Sequence, residues 1–459
     1  MADPNFDIVI IGAGQAAVPL SKALARKGRT VALIEAEHLG GSCINFGCTP
    51  TKAVIASARV AHLGRRGQEF GIGIADVQPD FDAVLARARK IVTESVASLD
   101  ESLAHEANPR LIRARARLCG RDGDRFVVSV GDERLTASQV VLDTGTTTRV
   151  PPIDGLDGVD YLCAENWLHR HGLPEHLLIV GASYIGLEMG QFYRRMGSKV
   201  TIVGPGKRIA DHEDEDVAQA VQKLLEREGI EFRLETSARS VSKTGAGLSL
   251  ICEDASGNPQ RLAGTHLFLA TGRQPNTGDL GLETVGVRLS KKGTVEVDER
   301  LASSAAGVWA AGDIRGGPMF THTSWDDYRI LESQLVGDGS RTTDRVVPYA
   351  LFTDPELGRS GLTESEARAR GHRFHTARFE MKHNGKAREI GETDGFIKVL
   401  IDDDSQQILG AAVLANEGAE LVHIYVALMN AKAPYTVLEN AIQIHPTLAE
   451  AVQSAVAGG

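Results

Sequence analysis

Cysteine is scarce: the chain has five in 459 residues. Excess positive charge is missing too. Lysine and arginine number 50 against 60 aspartates and glutamates, a formal charge of −10, which argues against nucleic acid or an anionic membrane surface as the main partner. No apolar run is long enough to cross a bilayer, and no N-terminal signal peptide is recognisable. The expectation is a soluble, cytoplasmic chain. In that reducing compartment a structural disulfide is not expected, so a close cysteine pair points to redox chemistry or a metal. Low-complexity segments are absent. The length fits about three domains of roughly 150 residues.

What is present begins with FDIVIIGAGQAAVPLSKALARKGRTVALIE at residues 6–35. Ile8–Ile11 reads as a short buried strand, Ala16–Ala25 has helical periodicity, and Thr30–Ile34 reads as a second strand ending at Glu35. Gly12, Gly14 and Ala17 form a dinucleotide fingerprint between strand and helix. Gly12 permits the tight turn, and Gly14 lets the backbone approach a pyrophosphate at the helix N-terminus. Glu35 stands where an acid can bond ribose hydroxyls.

The pattern returns at residues 177–203, LLIVGASYIGLEMGQFYRRMGSKVTIV. Gly181, Ser183 and Gly186 take the fingerprint positions, with serine as a small substitute for the middle glycine. Gly204 stands where an acid would be, and Lys207 and Arg208 follow. A missing acid beside cations favours NADPH over NADH. Two nucleotide folds in one chain imply two nucleotides, one delivering hydride to the other. The acidic run His212–Asp216 reads as a solvated helix start rather than a metal site.

GGSCINFGCTPTK, residues 40–52, holds the pair Cys43 and Cys48. Thr49 is expected to cap a helix whose first residue is Pro50. Cys48 would then lie at a helix N-terminus, which favours its thiolate. A disulfide across five residues requires a bend, which Gly47 permits. A zinc site would need two further ligands, and neither a second close cysteine pair nor an adjacent histidine cluster is present. Cys119, Cys163 and Cys252 read as ordinary buried or partly buried thiols.

With GGSCINFGCTPTK, VGASYIGLE, ATGRQPN (270–276), GVWAAGDI (307–314) and HPTLAE (445–450) on the page, the chain resembles the pyridine nucleotide–disulfide oxidoreductases over nearly its whole length. The resemblance implies an α/β fold: two Rossmann-like domains, for FAD and NAD(P), and a C-terminal αβ dimerisation domain. It implies FAD-domain segments at 1–148 and 265–338, a nicotinamide domain at 149–264 and an interface domain at 339–459. Gly12, Gly14, Ala17, Glu35, Gly41, Ser42, Gly145, Gly312 and Asp313 are implied FAD contacts. Gly181, Ser183, Gly186, Lys207, Arg208 and Gly272 fall to the nicotinamide side. Cys48 would face the flavin as the thiolate, and Cys43 would attack substrate. Lys52 and Glu188 match an ion pair beside the flavin, and Tyr184 matches a gate over it. His445 and Glu450 match a proton-shuttling dyad that reaches the other subunit of a homodimer, the general acid–base work of an imidazole.

Electrons are therefore expected to run from NAD(P)H through FAD and the Cys43–Cys48 pair to a small-molecule disulfide. A metal-ion or quinone reductase, or a redox-sensing flavoprotein, is the alternative. Arg329 and Lys22 could offer cations to an anionic disulfide. No metal, nucleic-acid or membrane partner is expected. Two departures stand out: Asp143 where the family commonly has Ala or Asn, and Phe46 where an aliphatic is usual. The chain also has neither an N-terminal metal-binding domain nor a C-terminal cysteine pair, which weakens the mercuric-reductase and large thioredoxin-reductase alternatives. The stretch GPMFTHTSWDDYRIL, residues 317–331, is most similar to the mercuric-reductase-like group.

Overall fold

The computed structural model describes residues 4–104, 107–245 and 247–457. Strand β1 (Asn5–Ile11) is buried over its last four residues, and its continuous apolar run suits a central parallel strand covered on both faces. Helix α1 (Ala17–Arg26) turns Ala17, Val18, Leu20 and Leu24 onto the sheet. Strand β2 (Val31–Glu35) pairs in parallel with β1. The first sheet runs, edge to edge, through 110–113, β2, β1, 133–142, 125–130 and 116–122. The strand 308–310 adds to it in parallel beside 133–142, which brings a distant part of the chain next to the fingerprint turn.

The second sheet is ordered 230–233, 199–203, 176–180, 266–269, 161–162, all parallel. His266–Leu269 pairs with His176–Val180, so this layer ends after Leu269 rather than at residue 264. A three-stranded antiparallel sheet, 236–244, 247–254 and 259–264, covers one side. The third layer is an antiparallel five-stranded sheet built from residues 349–415. Its central strands, Phe396–Asp402 and Ile408–Ala415, are buried along nearly their whole length.

Helices α2 (Gly41–Asn45), α3 (Cys48–Arg65) and α4 (Phe81–Ala104) connect the layers. Phe81 of α4 packs on Phe192 at 5.9 Å and Tyr193 at 5.7 Å, both on helix α5 (Tyr184–Met196). The aromatic cluster thereby ties the first module to the second. Asp354 of the third module accepts from Arg59 at 2.8 Å and Arg195 at 2.7 Å, locking α3 and α5 to it. No helix among the described residues is long and apolar enough to cross a membrane.

The acidic run at 212–216 is not simply solvated. Helix α6 (Glu215–Arg227) begins after Asp214, and the buried ammonium of Lys398 lies 3.1 Å from Asp214, 2.8 Å from Asp216 and 2.5 Å from Glu364. These three acids are the one group among the described residues close enough together to hold a metal ion, and the Lys398 ammonium already sits among them. Cys252 is buried and Cys163 half-buried, as expected, but Cys119 is exposed because it faces outward on the strand 116–122.

Candidate active site

The first turn is built on glycine where only glycine fits. Gly12 has φ +98°, and a Cβ there would fall 2.2 Å from the Asp143 carbonyl oxygen. No side chain caps α1. Gly41, with φ +66°, brings its backbone against Gly14: an added Cβ would lie 3.2 Å from the Gly14 Cα. The result is a cradle of bare backbone at a helix N-terminus, where peptide N–H groups and the helix dipole favour a negative group. Glu35 ends β2, and its carboxylate accepts from Ala13 N–H at 2.8 Å and His38 N–H at 2.9 Å. These features fit a dinucleotide such as FAD. Gly145 (φ +63°), Gly312 (φ +68°) and Asp313 converge from later segments. Thr146 donates to Asp313 at 3.2 Å. Burial raises the Asp313 carboxyl, and Arg273 opposes that rise.

The cysteine pair is made by a tight loop. Phe46 and Gly47 both donate backbone N–H bonds to the Ser42 carbonyl, at 3.1 and 2.6 Å. A Cβ on Gly47 would lie 2.8 Å from that oxygen and 3.4 Å from the Cys43 Cα, so glycine allows the chain to fold Cys48 back onto Cys43. Helix α3 starts two residues earlier than expected: Gly47 is the cap and Cys48 the first helical residue. Thr49 does not cap; Thr51 instead donates its hydroxyl to the Gly47 carbonyl at 2.7 Å. Phe46 is accommodated with its ring edge-on to His38 at 5.5 Å and its carbonyl accepting from the Trp167 indole at 3.0 Å.

Both cysteines are thiols in this structure. Cys48 has accessible surface, yet protein atoms crowd most of its sides. A hydrogen bond from Cys43 is the main cause pulling Cys48 down to about 6; burial opposes it, and Thr321 and Lys52 assist. Cys43 moves the other way, raised by that same bond and by burial. The two thiols therefore divide into a thiolate and its hydrogen-bond donor.

One turn along α3, Lys52 Nζ lies 2.8 Å from Glu188 Oε2 and 4.3 Å above the Phe352 ring. Glu188 is buried on α5, and its other oxygen accepts from Phe352 N–H at 3.0 Å. In the second module, Gly181 has φ +120°, and a Cβ on Gly186 would fall 2.0 Å from the Gly181 carbonyl oxygen. Ser183 is exposed at the start of α5. A Cβ on Gly204 would lie 2.8 Å from that of Ala182, so an acid there would meet a steric obstacle. Lys207 is exposed, while Arg208 donates to the Asp211 carbonyl at 3.2 Å. Gly272 (φ +94°) accepts from Arg149 N–H at 2.9 Å.

Two family models match, one described as pyridine nucleotide-disulphide oxidoreductase over residues 6–327 and the other as its dimerisation domain over 347–456. The chain belongs to this family. Among its relatives, the oxidoreductase RclA of Escherichia coli (strain K12) is 32% identical over 98% of each chain. The mercuric reductase of Streptomyces lividans is 33% identical over 99% of this chain and 96% of that one. A dihydrolipoyl dehydrogenase of Cupriavidus necator is 31% identical over 98% and 97%. The solved structure of a Cu(II) complex of the HOCl-induced flavoprotein disulfide reductase RclA superposes with a TM-score of 0.89 at 31% identity, covering 100% and 99% of the two chains. The fold is thus that of a flavoprotein disulfide reductase, an oxidoreductase family that uses FAD and a pyridine nucleotide.

Within this family frame, the structure adds residues that the motifs did not expose. Thr321 Oγ1 is 3.2 Å from Cys48 Sγ. Tyr184 donates to Glu213 at 2.7 Å, and Tyr349 donates to the same oxygen at 3.0 Å. Fully buried Arg359 lies 2.8 Å from the other Glu213 oxygen, an ion pair rather than a well-directed hydrogen bond. The Tyr184 ring stacks on Tyr349 at 5.9 Å, and Tyr349 on Phe320 at 5.4 Å. A search for acids near Tyr184 in sequence would not have singled out Glu213, 29 residues away.

His445 and Glu450 do pair, Nδ1 to Oε1, at 2.9 Å. The imidazole is 76% exposed, and Glu450 is its hydrogen-bond partner. Lys22 donates to Ser102 at 2.8 Å, and Arg329 bonds Asp326 at 3.2 Å, so neither is an idle cation. Lys22 nonetheless lines a cavity of about 450 Å³ beside the cysteine loop, together with Gln15, Ile44, Leu99, Trp325 and Tyr328.

Proposed function

We propose that this chain is an NAD(P)H-dependent disulfide reductase in which Cys43 and Cys48 hand electrons to a small disulfide. The observation that carries this is the polarised thiol pair: Cys48 favoured as thiolate, Cys43 held protonated beside it, and Lys52–Glu188 one turn away. FAD held between the Gly12–Ala17 turn and the Gly312–Asp313 segment would supply the two-electron link from nicotinamide to thiols. Glu188, pinned by Phe352 N–H, fixes Lys52 as a buried-side cation where negative charge develops. Tyr184, tethered by Glu213, stands at the nicotinamide approach as the gate. Cys43 attacks the disulfide, forming a mixed disulfide and releasing a first thiolate that must take a proton; Cys48 then attacks the Cys43 sulfur, closing the Cys43–Cys48 disulfide and releasing the second thiol.

His445, oriented by Glu450, is the proton source. Its exposure supports an action across a homodimer interface. Ile442 and Ile444 beside it are 99% and 79% exposed, an apolar surface that a second copy would cover. The steric obstacle at Gly204 and the exposed Lys207 support NADPH over NADH. Reduction of a metal ion is the second reading, favoured by relatives named for mercury and solved with Cu(II). Anaerobic mixing of the NADPH-reduced protein with glutathione disulfide, lipoamide, Hg(II) and Cu(II) decides between them. Rapid reoxidation by one disulfide supports the proposal, and reoxidation by metal ions alone overturns it.

A further inference from the structure

Asp143 lies buried beside the fingerprint turn. Its side chain is 6% exposed, and its Oδ2 accepts from the N–H of Ala17, the first residue of α1, at 2.9 Å. A methyl group added to Gly14 would fall 2.8 Å from Oδ2, and one added to Gly312 would fall 2.6 Å from Oδ1. One carboxyl therefore fills the gap between the fingerprint turn and the Gly312–Asp313 segment, the two stretches of backbone that form the cradle.

Among the described residues, no cation forms an ion pair with it. From α1 it faces only the peptide N–H groups of Ala16 and Ala17. From the 312–315 turn it faces Asp313, and from helix α7 (Thr321–Val336) it faces Asp327. The nearby arginines are engaged elsewhere: Arg315 and Arg345 with Asp327, at 2.7 and 2.6 Å, and Arg273 with Glu165 at 2.9 Å. Burial, with the two acids adding to it, pushes the Asp143 carboxyl well above the usual carboxylate range against the pull of the Ala17 N–H. An ionised group here would take up the positive end of the α1 dipole and repel a diphosphate brought to the same helix end. A neutral carboxylic acid can accept from Ala17 with one oxygen and donate with the other.

We infer that Asp143 is a positioning residue, held as the neutral acid, that braces the two glycine segments around the FAD diphosphate, so that its ionisation loosens FAD. This rests on the assignment of the Gly12–Ala17 cradle to FAD. The side chain acts in the way an amide would, which makes asparagine its functional substitute.

The test follows FAD release from the holoenzyme by recovery of flavin fluorescence after dilution, between pH 6 and pH 9, in the wild type and in Asp143→Asn. Because one charge state binds FAD better than the other, release by the wild type should quicken by about tenfold across this range. Release from Asp143→Asn should stay slow and change by less than about twofold. A wild-type profile that is flat overturns the inference without any variant, as does an Asp143→Asn profile that keeps the wild-type slope. Infrared difference spectra of the holoenzyme between the same two pH values give a second readout. Loss of a protonated-carboxyl band at high pH that is absent in Asp143→Asn supports the inference, and no such loss overturns it. A chain that takes up no FAD at any pH overturns the cradle assignment as well.

Discussion

Replacing Cys43 with alanine should disarm Cys48 without touching it. With Cys48 titrating at about 6, roughly 90% of it is thiolate at pH 7, against about 1% for a thiol at its ordinary value of 9.0. The bond from Cys43 is the largest cause of that depression, and burial is the largest opposing one. Cys43→Ala removes the first and leaves the second, so Cys48 should return to the ordinary thiol range or above it. Thr321→Val should move Cys48 the same way by less, and Lys52→Met by less again, in the order of their contributions. The sign is fixed: reactivity in the wild type is lost as pH falls through about 6, and in Cys43→Ala it is already lost at neutral pH. The assay is the pH dependence of iodoacetamide modification of the anaerobically reduced protein, with Cys48 followed by peptide mass spectrometry. Modification rate tracks the thiolate fraction. A wild-type Cys48 that titrates near its ordinary value, or a Cys43→Ala profile unchanged from wild type, would refute the polarised pair.

The remaining predictions concern charge. Lys398→Met strips Asp214 of its cation and leaves Asp216 with Arg378 and Glu364 with Arg368 alone, and should lower unfolding stability in urea at pH 7 by about 3 kcal/mol. Burial raises the Asp216 and Glu364 carboxyls, but bonds from Lys398 hold both below their ordinary range, so the stability they contribute is present above the unfolded carboxylate range and fades as pH falls through their lowered values. The penalty for Lys398→Met should therefore shrink in acid; a penalty constant with pH would contradict the network. Lys207→Ala should raise the KM for NADPH several-fold and leave that for NADH nearly unchanged, and equal effects on both would remove its phosphate role. His445→Ala should slow reoxidation by disulfide by about a hundredfold while flavin reduction by nicotinamide keeps its rate. Equal slowing of the two half-reactions would remove the histidine from proton transfer.

Local chemistry was legible in the sequence. Gly12, Gly14 and Gly181 announce their turns because their backbone conformation or close approach excludes other residues, and Cys43, Gly47 and Cys48 lie within one loop. The start of α3 was misplaced because threonine before proline is a good cap in isolation, whereas Gly47 is bent by its contact with Ser42. What the sequence hid were contacts between remote segments. Phe352 orders Glu188 from 164 residues away, and Thr321 meets Cys48 across 273. Glu213 looked like one of several surface acids until the fold set it beneath Tyr184 and against Arg359. Asp143 gains its place only from the fold: the strand 308–310, added beside 133–142, brings Gly312 against it.

The central claim, that the thiol pair sits in redox contact with the flavin, is tested most directly by anaerobic titration of the oxidised holoenzyme with NADPH and, in parallel, NADH. The account predicts that the first reducing equivalent produces long-wavelength absorbance from the Cys48 thiolate against the flavin, with NADPH the better donor, and that Cys48→Ser abolishes it while FAD stays bound. Direct bleaching of the flavin with no such absorbance, and with Cys43 and Cys48 still joined, would contradict it.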